Sequence, residues 1–524
     1  MESVTRYSLT VLRYSGWFIA PIYSLLWLYL WKRLPPQKQP NILNLSATKL
    51  AKKIRNRELT SEQVVNAFVE RCRDINGLLN AIVEDRFAEA LNDAKNVDEF
   101  IDNGQKTKEQ MEKETPLLGV PVTIKESCKL EGMSYCVGAK LRKGIRAEED
   151  GKAVANLKKS GAIPIAVTNT PEFCASAETL NKVTGYTHNP YDRRRSAGGS
   201  SGGEASLIAS AASVIGIGSD YICSIRVPCL FNGVFGHKPT PGIVPNEGHF
   251  PDMPNNEIYQ KLLCLGPICR YAEDLKPMLK ILAGEKADTL NLDTPVKHED
   301  LKIYYLLDKG FSFAESSVNS DIKKSIKTAV DHFQKTYGCQ VQKLELRGMN
   351  DLTSLCIVHL ADVENLNKLF CLKRPEDESN AFVEYLKAVI KLSDYCLQTA
   401  VARLLVEMLS HISVRKRLKK AAKRNEMLQQ LLEILGNNGV LILPSYTQTA
   451  FFKYELLFKI TELMYSFFAN VFGLPSTQIP AGLNKKGLPI GFQVVANPMQ
   501  DRLCIAVAEE LEKALGGWKP PPNS

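Results

Sequence analysis

A pair of serines set among glycines is the first candidate for chemistry in this sequence. Ser200 and Ser201 lie in the segment GGSSGG at 198–203, here called the serine loop. Glycine allows positive φ and the close approach of other atoms, so we expect the backbone to hold this loop while the hydroxyls point at a reactant. An ordinary turn is the alternative, because Gly and Ser dominate turns.

A third serine follows in a second tight polar segment. Ser224 lies in GSDYICSIR at 218–226. Between the two segments, the small apolar residues of Ala205–Ile217 predict a buried helix that turns into a short strand. Ser224 would therefore lie in a tight segment that follows this strand.

The third chemically useful group is a lysine at the end of an apolar run. The residues Val120–Ile124 predict a buried strand that ends at Lys125. To attack an amide, a serine hydroxyl must lose its proton, and the departing amine must gain one. A neutral lysine can carry that proton, and burial favours the neutral form of an amine. A lysine at a strand end is ordinarily a surface residue, so only the combination with the serines favours catalysis.

The elements that must position these groups predict a layered α/β fold. Lys152–Lys159 has the pattern of a helix, and the apolar run at 161–167 that of a buried strand. Near the end of the chain, 439–445 predicts another buried strand and Asp501–Leu515 a final helix. Apolar runs that alternate with helical segments are typical of a sheet covered by helices.

These motifs together resemble the signature of the amidase family, serine hydrolases with a Ser-Ser-Lys triad. The resemblance extends from about Leu45 to Trp518 and is strongest to the membrane-anchored fatty-acid amide hydrolases, type 2 in particular. It implies an α/β amidase-signature fold, with a large mixed β-sheet core covered by helices on both faces and an N-terminal membrane helix. The implied activity is hydrolysis of amides through an acyl-enzyme, without metal or cofactor.

The resemblance also implies a role for each of the three groups. Lys125 accepts a proton through Ser200, and Ser224 attacks the carbonyl carbon. Ser201 is a supporting hydrogen-bond partner. The backbone N–H groups implied as the oxyanion hole are those of Tyr221, Ile222, Cys223 and Ser224.

Asp220 and Arg226 are expected to form an ion pair. This pair would hold the residues 221–225 between them, here called the nucleophile segment, which contain Ser224. That segment departs from the family at one place, because Ile222 and Cys223 stand where the family usually has two glycines. A β-branched residue is strained if φ is positive there. The departure leaves three outcomes open: a reshaped but working oxyanion hole, a narrower substrate range, or a catalytically impaired relative.

The first 36 residues predict a membrane anchor and linker, with the amidase domain at 37–524. Tyr14–Trp31 contains 18 residues without a charge, near the roughly 20 that span a bilayer. Arg13 and Lys32-Arg33 bound the run, and no signal-peptide cleavage site follows. We expect a single-pass N-terminal anchor at an endomembrane or lipid-droplet surface. A helix lying on the membrane is the alternative.

Composition excludes several other classes of function. The 524 residues are 44% hydrophobic and 23% charged, with a net charge of +9, and no nucleic-acid motif accompanies that charge. The 13 cysteines lack zinc-like spacing, which argues against a metal site and favours buried thiols. The sequence does not determine the oligomeric state and is compatible with a homodimer.

The sequence therefore predicts a membrane-anchored serine hydrolase whose partners are a lipid amide substrate and the membrane. Two alternatives stay open. One is an impaired relative of the same fold that binds lipid amides. The other is a component of an amidotransferase that uses the same triad to supply ammonia.

Overall fold

The computed structural model of the protein describes residues 33–310, 316–370 and 380–522. The predicted anchor at Tyr14–Trp31 lies outside these residues. Within the three described ranges, no helix is both long enough and apolar enough to cross a bilayer.

An eleven-stranded sheet organises the described chain, with a two-stranded hairpin, β4 and β5, beside it. The strands are β1 Ile82–Asp85, β2 Pro121–Lys125, β3 Ile163–Thr168, β4 Leu180–Asn181, β5 Gly185–Tyr186, β6 Ile215–Asp220, β7 Phe235–Lys238, β8 Cys264–Cys269, β9 Lys302–Tyr305, β10 Gln340–Lys343, β11 Gly439–Leu443, β12 Ser476–Leu483 and β13 Pro489–Ala496. Their order across the large sheet is β1-β3-β2-β6-β8-β7-β12-β13-β11-β9-β10.

Helices precede β1, follow β13 and lie in several of the connections between the strands. They are α1 Pro40–Leu43, α2 Ala47–Arg55, α3 Ser61–Leu79, α4 Phe87–Asp102, α5 Lys108–Glu114, α6 Lys152–Lys159, α7 Gly202–Ala209, α8 Arg226–Asn232, α9 Glu257–Leu262, α10 Leu275–Ala283, α11 Ser320–Tyr337, α12 Leu352–Leu360, α13 Ala381–Val389, α14 Leu397–Ser410, α15 Val414–Leu435, α16 Met464–Val471 and α17 Asp501–Leu515.

The sheet is mixed, as the family resemblance implies. Strands β3, β2 and β6 run parallel, β11, β9 and β10 form a second parallel group, and the strands between these groups pair antiparallel. Every residue of β2, β3 and β6 is buried. Because successive side chains of a strand point to opposite faces, both faces of the sheet are covered at this place.

Several predicted elements are confirmed with small changes in their bounds. The helices α6 and α17 have the predicted ends. The strand predicted to deliver Lys125 is β2, and the apolar run 205–217 divides into the end of α7, a turn and the start of β6. The twelve cysteines within the described ranges form no disulfide with one another, and all but Cys174 are buried.

A capped helix helps to fix the start of β2. Thr60 begins α3 with a capping box, in which its hydroxyl accepts from the Gln63 N–H and the Gln63 side chain accepts from the Thr60 N–H. The next residue, Ser61, donates a hydrogen bond of 3.0 Å to the carbonyl of Gly119. The cap thereby ties the first turn of α3 to the chain just before the strand that carries Lys125.

Candidate active site

The carboxyl ends of two parallel strands meet where the sequence predicts chemistry. In the pairing of β2 with β6, Thr123 lies opposite Gly216 and Ile124 opposite Ile217. Lys125 therefore ends one strand beside the last residues of the other, Ser219 and Asp220. Side chains at such adjacent strand ends are held by a rigid sheet, which makes this edge suited to a site.

Lys125 is fully buried and contacts two hydroxyl groups. Its Nζ lies 2.6 Å from the Oγ of Ser200 and 2.9 Å from the Oγ of Ser219. Lys125 is 0% exposed and Ser200 1% exposed. The structure thus brings the predicted lysine to the predicted serine loop, inside the protein rather than at its surface.

The serine loop is pressed against its neighbours, which explains its glycines. A Cβ at Gly199 would lie 2.5 Å from the carbonyl oxygen of Ser176, and one at Gly203 would lie 2.5 Å from the backbone nitrogen of Asn169. Real Cβ atoms do not approach so closely, so only glycine fits at these positions. The last two residues of the loop, Gly202 and Gly203, begin α7, which leaves Ser200 and Ser201 just before the helix.

Ser224 lies beside the serine loop and is 7% exposed, the most accessible of the three predicted catalytic residues. Its carbonyl oxygen accepts a hydrogen bond of 3.1 Å from the N–H of Ser201. No hydrogen bond joins the hydroxyls of Ser200 and Ser224, both of which lie in the described chain. The structure therefore shows the contact of Lys125 with Ser200, while the next step of the predicted proton path stays a prediction.

The backbone around the nucleophile segment leaves N–H groups available. None of the N–H groups of residues 221–224 donates to a residue that the structure describes. The Ile222 carbonyl accepts a hydrogen bond of 3.1 Å from Arg226, so the N–H of Cys223, in the same trans peptide, points away from Arg226. Neither Ile222 nor Cys223 has a positive φ, so the strain considered for these two residues does not arise.

The expected ion pair of Asp220 and Arg226 is present and fully buried. Arg226 donates from Nη2 to Oδ1 at 2.9 Å and from Nε to Oδ2 at 3.1 Å. Asp220 also accepts from the N–H of Ile225 at 2.9 Å. Burial acts to raise the pKa of Asp220, but Arg226 and these hydrogen bonds lower it overall. The pair ties the end of β6 to the start of α8 and encloses the nucleophile segment between them.

Sequence reasoning missed a carboxyl group beside the lysine. Glu204, on the first turn of α7, is fully buried, and its carboxyl oxygens lie 2.6 Å from the hydroxyl of Thr123 and 2.9 Å from that of Thr168. Burial raises its pKa to about 8, against the effect of these hydrogen bonds and of Lys125. Its position directly after the serine loop could have been a signal, since a carboxylate in an otherwise apolar helix needs a partner.

Sequence reasoning also missed Ser219 and His249. Ser219 contacts Lys125, and the Nε2 of His249 lies 2.9 Å from its Oγ. Burial, followed by the charge of Lys125, lowers the pKa of His249 to about 4, so its ring is neutral near pH 7. Ser219 stands at a predicted strand end and could have been suspected. His249 lies in a loop between β7 and α9, and nothing in its neighbourhood in the sequence points to the site.

Comparisons of the whole chain with known proteins give a consistent result. Residues 63–505 match the family model described as Amidase. The chain is 40% identical to fatty-acid amide hydrolase 2 of Homo sapiens over 488 residues, which cover 92% of this chain and 91% of that protein. It is 41% identical to fatty-acid amide hydrolase 2-A of Danio rerio over 497 residues, which cover 93% of this chain and 92% of that protein. A solved structure of a fatty acid amide hydrolase superposes with a TM-score of 0.73 at 22% identity, covering 93% of this chain and 87% of that chain.

Proposed function

The chain belongs to the amidase family and is an amide hydrolase, and on this premise we propose that it cleaves hydrophobic, fatty-acid-type amides with Ser224, Ser200 and Lys125. The observation that carries the proposal is the buried contact of 2.6 Å between Lys125 Nζ and Ser200 Oγ. The amine of this lysine is enclosed away from bulk water, and in its neutral form it could accept a proton. It meets a serine that can pass the proton on.

In the proposed reaction, the Oγ of Ser224 forms a bond to the amide carbonyl carbon. Its proton moves to Ser200 Oγ as Ser200 gives its own proton to Lys125 Nζ. The N–H groups of residues 221–224 receive the oxyanion, a contribution worth about 3–4 kcal/mol for one such donor. The C–N bond then breaks, the proton returns along the same path to the leaving nitrogen, and an acyl-enzyme remains. Water, activated by the same groups, hydrolyses it.

A continuous set of aromatic rings supports an apolar substrate. Phe250 follows His249, and its ring centroid lies 6.1 Å from that of Phe173. Phe173 in turn lies 6.1 Å from Phe370 and 6.2 Å from Tyr395, just before α14. These rings connect the neighbourhood of Lys125 to the pair α13 and α14. The 40% identity to fatty-acid amide hydrolase 2 supports the same substrate class.

The surface formed by α13 and the turn after it supports contact with a membrane. Large apolar residues of α13 and the turn after it are exposed, among them Phe382, Ile390 and Leu392, the last of which is 74% exposed. An exposed apolar patch of this kind favours burial against lipid. Together with the predicted anchor, it would hold the site next to the membrane in which fatty amides partition.

Replacement of the nucleophile tests the proposal most directly. We expect Ser224→Ala to abolish both hydrolysis of a panel of fatty amides and labelling of the protein by a fluorophosphonate probe. The matched control is Ser325→Ala, on α11 and away from the site, which should retain both. Undiminished labelling of Ser224→Ala would overturn the assignment of the nucleophile.

A further inference from the structure

A chain of buried hydrogen bonds connects Lys125 to a backbone carbonyl on the far side of the site. Its Nζ lies 2.9 Å from Ser219 Oγ, which lies 2.9 Å from the Nε2 of His249. The Nδ1 of His249 lies 2.9 Å from the carbonyl oxygen of Pro251. Ser219 and His249 are themselves buried, so water does not compete for these bonds.

The carbonyl at the end of this chain fixes the direction of each bond. A carbonyl oxygen only accepts hydrogen bonds, so the Nδ1 of His249 must carry a hydrogen and donate it to Pro251. A neutral ring has one N–H, which leaves Nε2 with a lone pair. The hydroxyl of Ser219 must then donate to Nε2, because two lone pairs would otherwise face each other.

The consequence reaches the amine of Lys125. The single hydroxyl hydrogen of Ser219 is committed to His249, so Ser219 Oγ can only accept from Nζ. A neutral amine has two hydrogens and one lone pair. With one N–H held by Ser219, the lone pair is free to face Ser200, whose Oγ lies 2.6 Å away on another element.

We propose that His249 and Ser219 are positioning residues, which hold one N–H of Lys125 so that its lone pair receives the proton of Ser200. Without the acceptor Nε2 of His249, the hydroxyl of Ser219 could rotate and donate to Nζ of Lys125. The lone pair of Nζ would then be occupied, and Lys125 could not accept the proton of Ser200. The inference rests on the proposed function, since it requires Lys125 to act as the base.

Two pairs of variants test this chain of hydrogen bonds from Pro251 through His249 and Ser219 to Lys125, here called the relay, by their effect on activity. Gln at position 249 keeps an acceptor for Ser219, whereas Leu does not, and Thr at position 219 keeps the hydroxyl that Ala removes. We expect His249→Leu and Ser219→Ala to lower kcat by roughly 10- to 100-fold with KM nearly unchanged, as for misoriented catalytic groups. His249→Gln and Ser219→Thr should restore most of kcat. The matched control is Tyr135→Phe, which removes a hydrogen bond of 3.2 Å to Gly248, next to His249, without touching the relay.

A double-mutant cycle separates positioning from general damage. If the two residues act as one chain, His249→Leu should cause little further loss of kcat once Ser219→Ala has cut the chain. The proposal would be overturned if the double variant lost kcat by the product of the two single losses. It would also be overturned if Tyr135→Phe lowered kcat as much as His249→Leu.

The tautomer of His249 can be measured without any activity. Nitrogen NMR of histidine-labelled protein should show a signal from a neutral ring protonated at Nδ1 that is present in the native protein and absent from His249→Gln. A ring protonated at Nε2 would overturn the relay. A native protein that neither hydrolyses amides nor binds the fluorophosphonate would instead overturn the proposed function, and the inference with it. An active native protein with an unaffected His249→Leu would overturn the inference alone.

Discussion

Glu204 is the residue at which burial most clearly sets a protonation state beside the site. Thr123 Oγ1 lies 2.6 Å from the Glu204 carboxyl and 2.9 Å from Ser213 Oγ, while Ser213 donates to the carbonyl of Ile215. Thr123 has one hydroxyl hydrogen for two neighbours. A protonated Glu204 resolves this, because it donates to Thr123 and frees Thr123 to donate to Ser213.

Stability should therefore depend on pH through Glu204. Its pKa is about 8 in the folded protein against 4.5 for the ordinary group. As pH rises, Glu204 loses its proton at a lower pH in the unfolded chain than in the folded protein. The free energy of unfolding therefore falls between pH 4.5 and about 8, by at most about 1.4 kcal/mol per pH unit. We expect Glu204→Gln to remove this slope, as measured by urea denaturation across that range. The exposed control Glu433→Gln should keep it, and equal slopes in all three proteins would contradict the prediction.

Variants of Ile222 and Cys223 can distinguish a working enzyme from a catalytically impaired relative. Because neither residue has a positive φ, glycine offers no relief of backbone strain there. We expect the double variant Ile222→Gly with Cys223→Gly to change turnover of a fatty amide by less than about tenfold, well below the loss from one missing oxyanion donor. A gain of several orders of magnitude from near zero would instead favour the impaired, lipid-binding alternative.

At the scale of elements, the site depends on how β6 is fastened to α8. The Asp220–Arg226 pair spans the nucleophile segment, and Arg226 also donates to Gln493 of β13 at 2.9 Å. A strand, a helix and a second strand thus meet on one buried guanidinium. Removal of its partner charge would leave that cation buried without compensation.

We expect Asp220→Asn to lower the free energy of unfolding by about 3–5 kcal/mol, as for other broken buried ion pairs. Urea denaturation monitored by intrinsic fluorescence measures the loss. The matched control is Glu257→Gln, which breaks an exposed pair with Lys261 at 3.6 Å and should cost less than about 1 kcal/mol. Similar losses for the two variants would show that the buried pair does not fasten the segment.

For the whole molecule, the question is how a buried site would meet the proposed lipid substrate. The exposed apolar residues of α13 and the turn after it are followed in the chain by Tyr395, which belongs to the aromatic set that begins at Phe250, next to His249. A substrate held in a membrane could enter there without crossing water.

The double variant Ile390→Glu with Leu392→Glu should therefore act selectively. We expect turnover of a long-chain amide presented in lipid vesicles to fall by roughly tenfold, because two charges oppose burial of the patch against lipid. Turnover of a short, soluble amide should stay unchanged. Leu483→Glu, an exposed apolar position in another element, is the control. Equal losses with both substrates would mean that the patch supports folding rather than membrane contact.

The sequence alone determined the elements and the chemistry that are local. The strand that ends at Lys125, the helices Lys152–Lys159 and Asp501–Leu515 and the layered α/β class follow from apolar periodicity, which acts over a few residues. Membership of the amidase family also follows from the sequence, because its motifs stand in fixed order along the chain.

The tertiary structure alone decided which distant groups surround those motifs. His249 and Glu204 reach Lys125 or its neighbours only because loops and helices from separate parts of the chain pack at one sheet edge. Only the structure shows that neither Ile222 nor Cys223 has a positive φ. The contacts of His249 and Glu204 join residues far apart in the chain, and no local pattern records them, since burial and direction of a hydrogen bond exist only once the elements have packed.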